Sequence, residues 1–322
     1  MNAVALGRNI IRWINETVNF IVLMIIILLM AFAAYALWDS QQVHNVADKS
    51  HYDIYKPTVL NEGKSFLQLQ AINPEVFSWL TVYGTNIDYP VVQGHDNMKY
   101  VSTNAEGEYS MSGAIFLDSH NSKDFSDFNH IIYGHHMEKK TMFGEIGNFL
   151  DKEMFDTHQY GNLYYNGVDH GIEFFAFAHA DAYDKLVFTA NVPKEDRAAY
   201  LEYLLSKAIH QRDIGVTTED RLVMLSTCSA SSTNGRDILV GRITDEVFPD
   251  TTMMGNLDDS GGQPLDSRYG LVKAVPLWVA LLALLSLIVA AKLAVTIRET
   301  HKIRKQRKTD KKKRSGKICL EY

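Results

Sequence analysis

Val18 to Trp38 is an unbroken run of 21 residues whose only polar member is Asn19. At about 1.5 Å of rise per residue it is long enough to cross a hydrocarbon core of about 30 Å. Arg8 and Arg12 precede it, which predicts a cytoplasmic N-terminus and an exported continuation. The alternative is a cleavable signal peptide, for which Ala31 to Ala36 offers small residues. Signal peptides carry shorter apolar cores of about 7–15 residues, so the run reads as an uncleaved anchor. A second run, Val275 to Ala291, holds Ser286 as its polar residue and extends to Ile297 if Lys292 snorkels. From Arg298 to Lys317 there are eleven lysines and arginines against Glu299 and Asp310. Such a tail stays in the cytoplasm and lies against anionic lipid; its tether to a membrane span argues against a nucleic-acid partner. The expected organisation is a cytoplasmic start over 1–17, a membrane helix over 18–38, and a stalk with the start of N-terminal helices over 39–65. A folded domain comes next over 66–247, then a linker over 248–273, a second membrane helix over 274–297 and a basic tail over 298–322. Both termini are then cytoplasmic, with the domain between them extracellular.

Charge obeys the same division. The whole chain is −6, but Asp39 to Lys273 holds 18 basic residues against 34 acidic ones, a net −16. The acidity favours solubility and cationic, amine-bearing partners. Of the two cysteines, Cys228 falls in the outer domain and Cys319 in the inner tail, so they cannot pair within one chain. The Leu-Glu-Tyr ending after Cys319 is a poor match to a prenylation signal. An unpaired exported thiol is either a buried structural cysteine or a reactive one. The Ser226-Thr227 that precedes Cys228 and the nearby Arg236 favour the reactive reading.

The outer domain changes period along its length. Val59 to Trp79 carries spaced apolar residues interrupted by Asn73-Pro74, a helix-start signal, and predicts two short helices. Short apolar or alternating runs come after it at Leu80–Tyr83, Ile87–Val92, Ala114–Leu117, His130–Tyr133, Gly161–Tyr165, Ile172–Ala180, Leu186–Ala190, Arg221–Ser226 and Asp237–Ile243. Lys194 to His210 has helical spacing after Pro193. Eight or nine short strands with few helices predict a mainly β fold, a closed or nearly closed barrel.

In RLVMLSTCSASSTNGRDILVGR, Arg221 to Arg242, a strand, a loop and a second strand bring Cys228 and Arg236 to one sheet edge. Tyr133-Gly134-His135-His136-Met137 succeeds another strand at a glycine turn, where loop residues stay open to substrate. A metal reading of His130, His135 and His136 is weaker, because adjacent residues at a strand end face opposite ways and no ligand at zinc spacing joins them. Acyl transfer by a thiol nucleophile, an imidazole acid/base and an arginine for the oxyanion needs no cofactor.

HIIYGHHMEKKTMF over 130–143, LSTC ending at Cys228, and Arg236 together resemble a class B sortase. Asn73 to Leu80, Ile87 to Gln93 and Gly113 to Asp118 resemble that class too. The resemblance implies an eight-stranded barrel with N-terminal helices and a helix between the sixth and seventh strands. It also implies Cys228 as nucleophile, His135 as acid/base and Arg236 as substrate or oxyanion donor. Thr227, Ser226 and Tyr133 are the implied substrate-binding residues, with Met137 shaping the site; Asp118 and Asp237 are read as structural. The implied partners are surface proteins or pilins bearing a C-terminal sorting signal, and an amine of a cell-wall precursor or a pilin lysine. A C-terminal span is more typical of pilus-building class C sortases, yet the acidic-Pro-aromatic lid motif of that class is missing. Wall anchoring and pilin polymerisation therefore both stay open. A non-catalytic membrane-tethered scaffold barrel is the remaining alternative, and it expects a buried Cys228.

Overall fold

A computed structural model of the protein describes residues 3–57, 64–229 and 233–250, together with Arg298. Helix α1 spans Ala3–Ala47. Its stretch Ile11–Gln41 contains an 18-residue window with a mean hydropathy of 2.9 and is long and apolar enough to cross a membrane by length and composition. The second expected span, 274–297, lies outside the described residues, as do most of the linker and the tail. A compact unit begins at Ser40. Asp48 starts its first 3-10 turn by accepting the Ser50 amide at 2.9 Å, and a second such turn covers Asp53–Tyr55.

The domain is built on nine strands: β1 (Val76–Val82), β2 (Asp88–Val92), β3 (Ile115–Leu117), β4 (Asn129–Tyr133), β5 (Tyr160–Tyr165), β6 (Val168–Asp181), β7 (Ala208–Gln211), β8 (Arg221–Cys228) and β9 (Gly235–Thr244). Eight of them run side by side in the order β5-β1-β2-β3-β4-β8-β9-β6, and β5 pairs with β6 to close the ring. Closure removes the unpaired edges that an open sheet would present. The ninth strand, β7, pairs with β6 outside the ring. The pairs β2–β3 and β4–β8 are parallel and the remaining pairs are antiparallel.

Alternation along the strands separates two cores. Val223 and Leu225 of β8 and Leu239 of β9 face the barrel interior with Trp79, Phe143 and Phe174. Leu222 and Met224 of β8, with Ile238 and Val240 of β9, face outward under helix α4 (Arg197–Ser206) and its Tyr200 and Leu204. Period-2 patterning thus reads as two buried faces here, because the helix covers what would otherwise be a solvated side. The helix between the sixth and seventh strands is therefore present, and helix α2 (Lys64–Ile72) supplies the N-terminal helical element.

Three expectations fail, each to a stronger local or tertiary interaction. Asn73-Pro74 ends α2 rather than starting a second helix. The Asn73 amide bonds Leu69 O at 2.8 Å, its side chain bonds Tyr100 Oη and Ala105 O, and Val76 onward is drawn into β1. Leu186–Ala190 is a turn, not a strand: the Asp184 carboxylate accepts the Leu186 and Val187 amides. Asn121 and Asn129 then hold Ala190 O and Thr189 O from below. The predicted helix stops at Ser206, and Ala208–Gln211 becomes β7. A further short helix, α3 (Lys152–Thr157), has Asp151 as its N-cap.

His130 of β4 shows what the closed barrel does to a titratable group. It is fully buried and donates from Nδ1 to Leu222 O at 3.0 Å, while its Nε2 has no hydrogen-bond partner among the described residues and stands 4.0 Å from Asp127 Oδ2. Burial lowers its pKa from 6.5 to about 4, against a partly offsetting hydrogen bond to Leu222. A ring that resists its proton stabilises the fold fully above pH 6.5 and loses that contribution as pH falls through about 4. We expect unfolding stability to drop by on the order of 2–3 kcal/mol between pH 6.5 and 4.5 from this residue. Urea titrations at the two pH values check it: the drop shrinks by that amount in His130→Gln, and an unchanged drop refutes it.

Candidate active site

The parallel pair β4–β8 sets the site. Its register runs from Asn129 opposite Leu222 to Tyr133 opposite Ser226, and the Gly134 amide extends it by bonding Ser226 O at 3.2 Å. His135 lies two residues past Tyr133 and Cys228 two residues past Ser226, so both sit at one level at the barrel end. The antiparallel pair β8–β9 ends with Cys228 opposite Arg236, and the Ser229 amide closes that stem on Gly235 O at 2.8 Å. Three strand ends thus deliver a thiol, an imidazole and a guanidinium to one place.

Face matters as much as level. Cys228 continues the outward parity of Leu222 and Met224, and Arg236 that of Ile238 and Val240. Gly134 has inward parity: a Cβ built there would come within 2.5 Å of Ile115 Cδ1 and 2.7 Å of the Phe143 ring. His135 therefore shares the outward face with the thiol, whereas His136 turns to the opposite side and lines a cleft with His179, Ser229 and Asp237. His130, buried against Phe125 with ring centroids 5.0 Å apart, is not drawn together with either.

Each group is held in a definite state. Cys228 is unpaired and exposed, not buried as a scaffold would have it. The half-buried His135 places Nε2 2.8 Å from Val101 O. A carbonyl can only accept, so Nε2 carries the proton and Nδ1 is the nitrogen left for chemistry. The chain around it is fixed as well: Phe143 N donates to His135 O, and Met142 N to the Tyr89 hydroxyl. Arg236 donates Nη1 to Gly235 O at 3.1 Å and forms no salt bridge among the described residues, leaving most of its five donors free.

Tyr133, also on the outward side, donates to Asp118 Oδ2 at 3.1 Å and stacks near Phe188 at 6.5 Å between centroids. Burial, then the Asp118 charge, raises its pKa well above the ordinary phenol value, opposed by Arg236. Ser226 and Thr227 are buried, and their hydroxyls have no protein partner among the described residues. Sequence reasoning did not find Val101, which is 34 residues from the ring it holds, nor Phe188, which was assigned to a strand. It also set Asp237 aside, although Asp237 accepts from His179 Nδ1 at 3.0 Å.

No family model matches the chain. It is 30% identical over 177 residues to sortase B of Listeria monocytogenes, covering 54% of this chain and 72% of that protein. The sortase B structure from Clostridium perfringens is 38% identical, with a TM-score of 0.53, covering 56% of this chain and all of that one. A class B sortase of Streptococcus pyogenes involved in pilus biogenesis is 41% identical, with a TM-score of 0.52, covering 56% and 99%. The barrel and these likenesses define a sortase-type cysteine transpeptidase. Within that class the chain belongs to the sortase B family.

Gly134 is the hinge between the β4–β8 ladder and His135. Gly134→Ala forces a methyl group into Ile115 and Phe143, an overpacking that costs about 1–3 kcal/mol. The urea midpoint of unfolding should fall accordingly; an unchanged midpoint refutes the packing assignment.

Proposed function

We propose that the protein is a membrane-anchored extracellular sortase that cleaves a C-terminal sorting signal and transfers the acyl group to an amine of a cell-wall precursor. The observation that carries this reading is the convergence of Cys228, His135 and Arg236 on one face of one barrel end, beside a stacked Tyr133–Phe188 wall. In this mechanism the Cys228 thiolate attacks the scissile carbonyl of the bound signal. Arg236 donates to the oxyanion of the tetrahedral intermediate, a task suited to a permanently charged fork. His135 Nδ1, having taken the Cys228 thiol proton as the thiolate formed, passes that proton to the departing amine, the C–N bond breaks, and a thioester on Cys228 remains. The incoming amine then attacks the thioester carbon, His135 takes up its proton, and the thiolate departs. Val101 O is the positioning group that keeps the ring turned for both transfers.

Ser226, Thr227 and Tyr133 are the proposed substrate contacts. Buried hydroxyls without partners are costly, and a peptide backbone laid along the β8 end would satisfy the outward-facing Ser226. Thr227, of inward parity, is left to contact whatever enters from the barrel end. The membrane assignment rests on α1 for the first span and on sequence alone for the second, with both termini cytoplasmic. A pilin polymerase is the second reading, favoured by the 41% identity to a class B sortase involved in pilus biogenesis. There the acceptor is a pilin lysine.

The test is intact-protein mass spectrometry of the full-length chain in detergent against a library of sorting-type peptides. A thioacyl adduct should form on Cys228 of the wild type and not on Cys228→Ala. His135→Ala should lower turnover by about 10²–10⁴-fold. Full turnover by either variant would sink the assignment, and the peptides captured identify the motif.

A further inference from the structure

The cleft on the side of the β8–β9 stem opposite the thiol has a volume of about 440 Å³. Ser229 and Asp237 line it, and they adjoin Cys228 and Arg236 in the chain, so the cleft reaches the strand end that carries the thiol. Asp237 is mostly buried, with 11% of its side chain exposed. Its Oδ1 is engaged by His179, whereas Oδ2 has no donor among the described residues. Oδ2 also lies 3.2 Å from where a Cβ on Gly147 would stand, so the glycine keeps that oxygen uncovered. Leu150 and Ile209, both exposed apolar residues, form the apolar part of the wall.

A half-used carboxylate in a cleft that also presents Leu150 and Ile209 is complementary to a cation on an aliphatic stem: the methylenes would lie on those two side chains and the ammonium would meet Oδ2. We infer that this cleft is the acceptor site, and that it takes a primary amine carried on an aliphatic stem, as in a lysine or another diamino acid, rather than the stemless α-amine of a glycine. The inference rests on the transpeptidase reading of Cys228 and goes beyond it by naming the class of the second substrate. Asp237 is a positioning residue here, holding the acceptor beside the thioester, and His179 fixes its carboxylate. Bond changes are those of ordinary aminolysis. The ammonium first loses one proton to solvent; the free amine then forms the C–N bond as the C–S bond breaks, and its second proton ends on the sulfur through His135. Two substrates would then approach one thiol from two faces, the acyl donor along the outward face and the amine through the barrel end.

The experiment uses full-length protein in detergent and p-nitrophenyl acetate as an acyl donor that needs no sorting motif. The burst of p-nitrophenolate reports acylation of Cys228, and mass spectrometry of the products reports transfer to Nα-acetyl-lysine amide or to glycine amide. The wild type should transfer to the lysine amide with at least a tenfold lower KM than to glycine amide. Asp237→Asn should raise the KM for the lysine amide at least tenfold with little change in kcat. Leu150→Lys, an exposed change that sets a like charge at the cleft, should raise it as well, while both variants keep the burst. Equal KM values for the two amines, or a lysine KM untouched in variants that still burst, overturn the acceptor site alone. Absence of a Cys228-dependent burst in the wild type overturns the thioacyl reading and this site with it.

Discussion

The pairing of β4 with β8, two strands some 90 residues apart in sequence, is the interaction on which the site depends. Parallel strands need a long crossover, and here the crossover contains β5, β6, the Asp184 turn, α4 and β7. Because the ladder is parallel, both strands end in the same direction, and the residues just beyond each strand emerge at one end of the barrel. An antiparallel pairing would have put His135 and Cys228 at opposite ends. The antiparallel partner β9 then begins where β8 stops, which brings Arg236 to the same level.

Closing the barrel makes that register hard to slip. A one-residue shift of β8 would exchange Val223 and Leu225 for Leu222 and Met224 across the sheet and bring Cys228 inside. With a core on each face, both sets are apolar, so hydrophobicity alone does not choose between them. Shape does: the interior is crowded by Phe143, Phe174 and Ile172, which already demand glycine at 134 and 241. The asymmetry between the two faces is therefore one of volume, expressed through side-chain size.

Much of the domain was legible in the sequence because strand periodicity and turn residues are local signals. Eight of the nine predicted strand runs overlap observed strands, and the glycine before His135 marks the end of β4. What failed was governed by partners distant in the chain. Leu186–Ala190 has strand-like residues, but Asp184 caps its amides and Asn121 and Asn129 hold its carbonyls from elsewhere. Asn73-Pro74 carries a good helix signal that lost to pairing of β1 with β2 and β5. In the site, two adjacent histidines are indistinguishable by composition. Their separation arises from the inward parity of Gly134, a property of the ladder and of the rings packed against it.

Asp237 illustrates the limit most directly. Beside an arginine in a strand it reads as a structural counter-charge, yet strand alternation sends the two side chains to opposite faces. Arg236 goes to the thiol, and Asp237 goes to His179 and the cleft. An ion pair between sequence neighbours would have quenched both charges. Alternation instead sends the guanidinium and the carboxylate to the two sides of a single strand, so that the two roles proposed for them, oxyanion donor and cation partner, do not compete one residue apart.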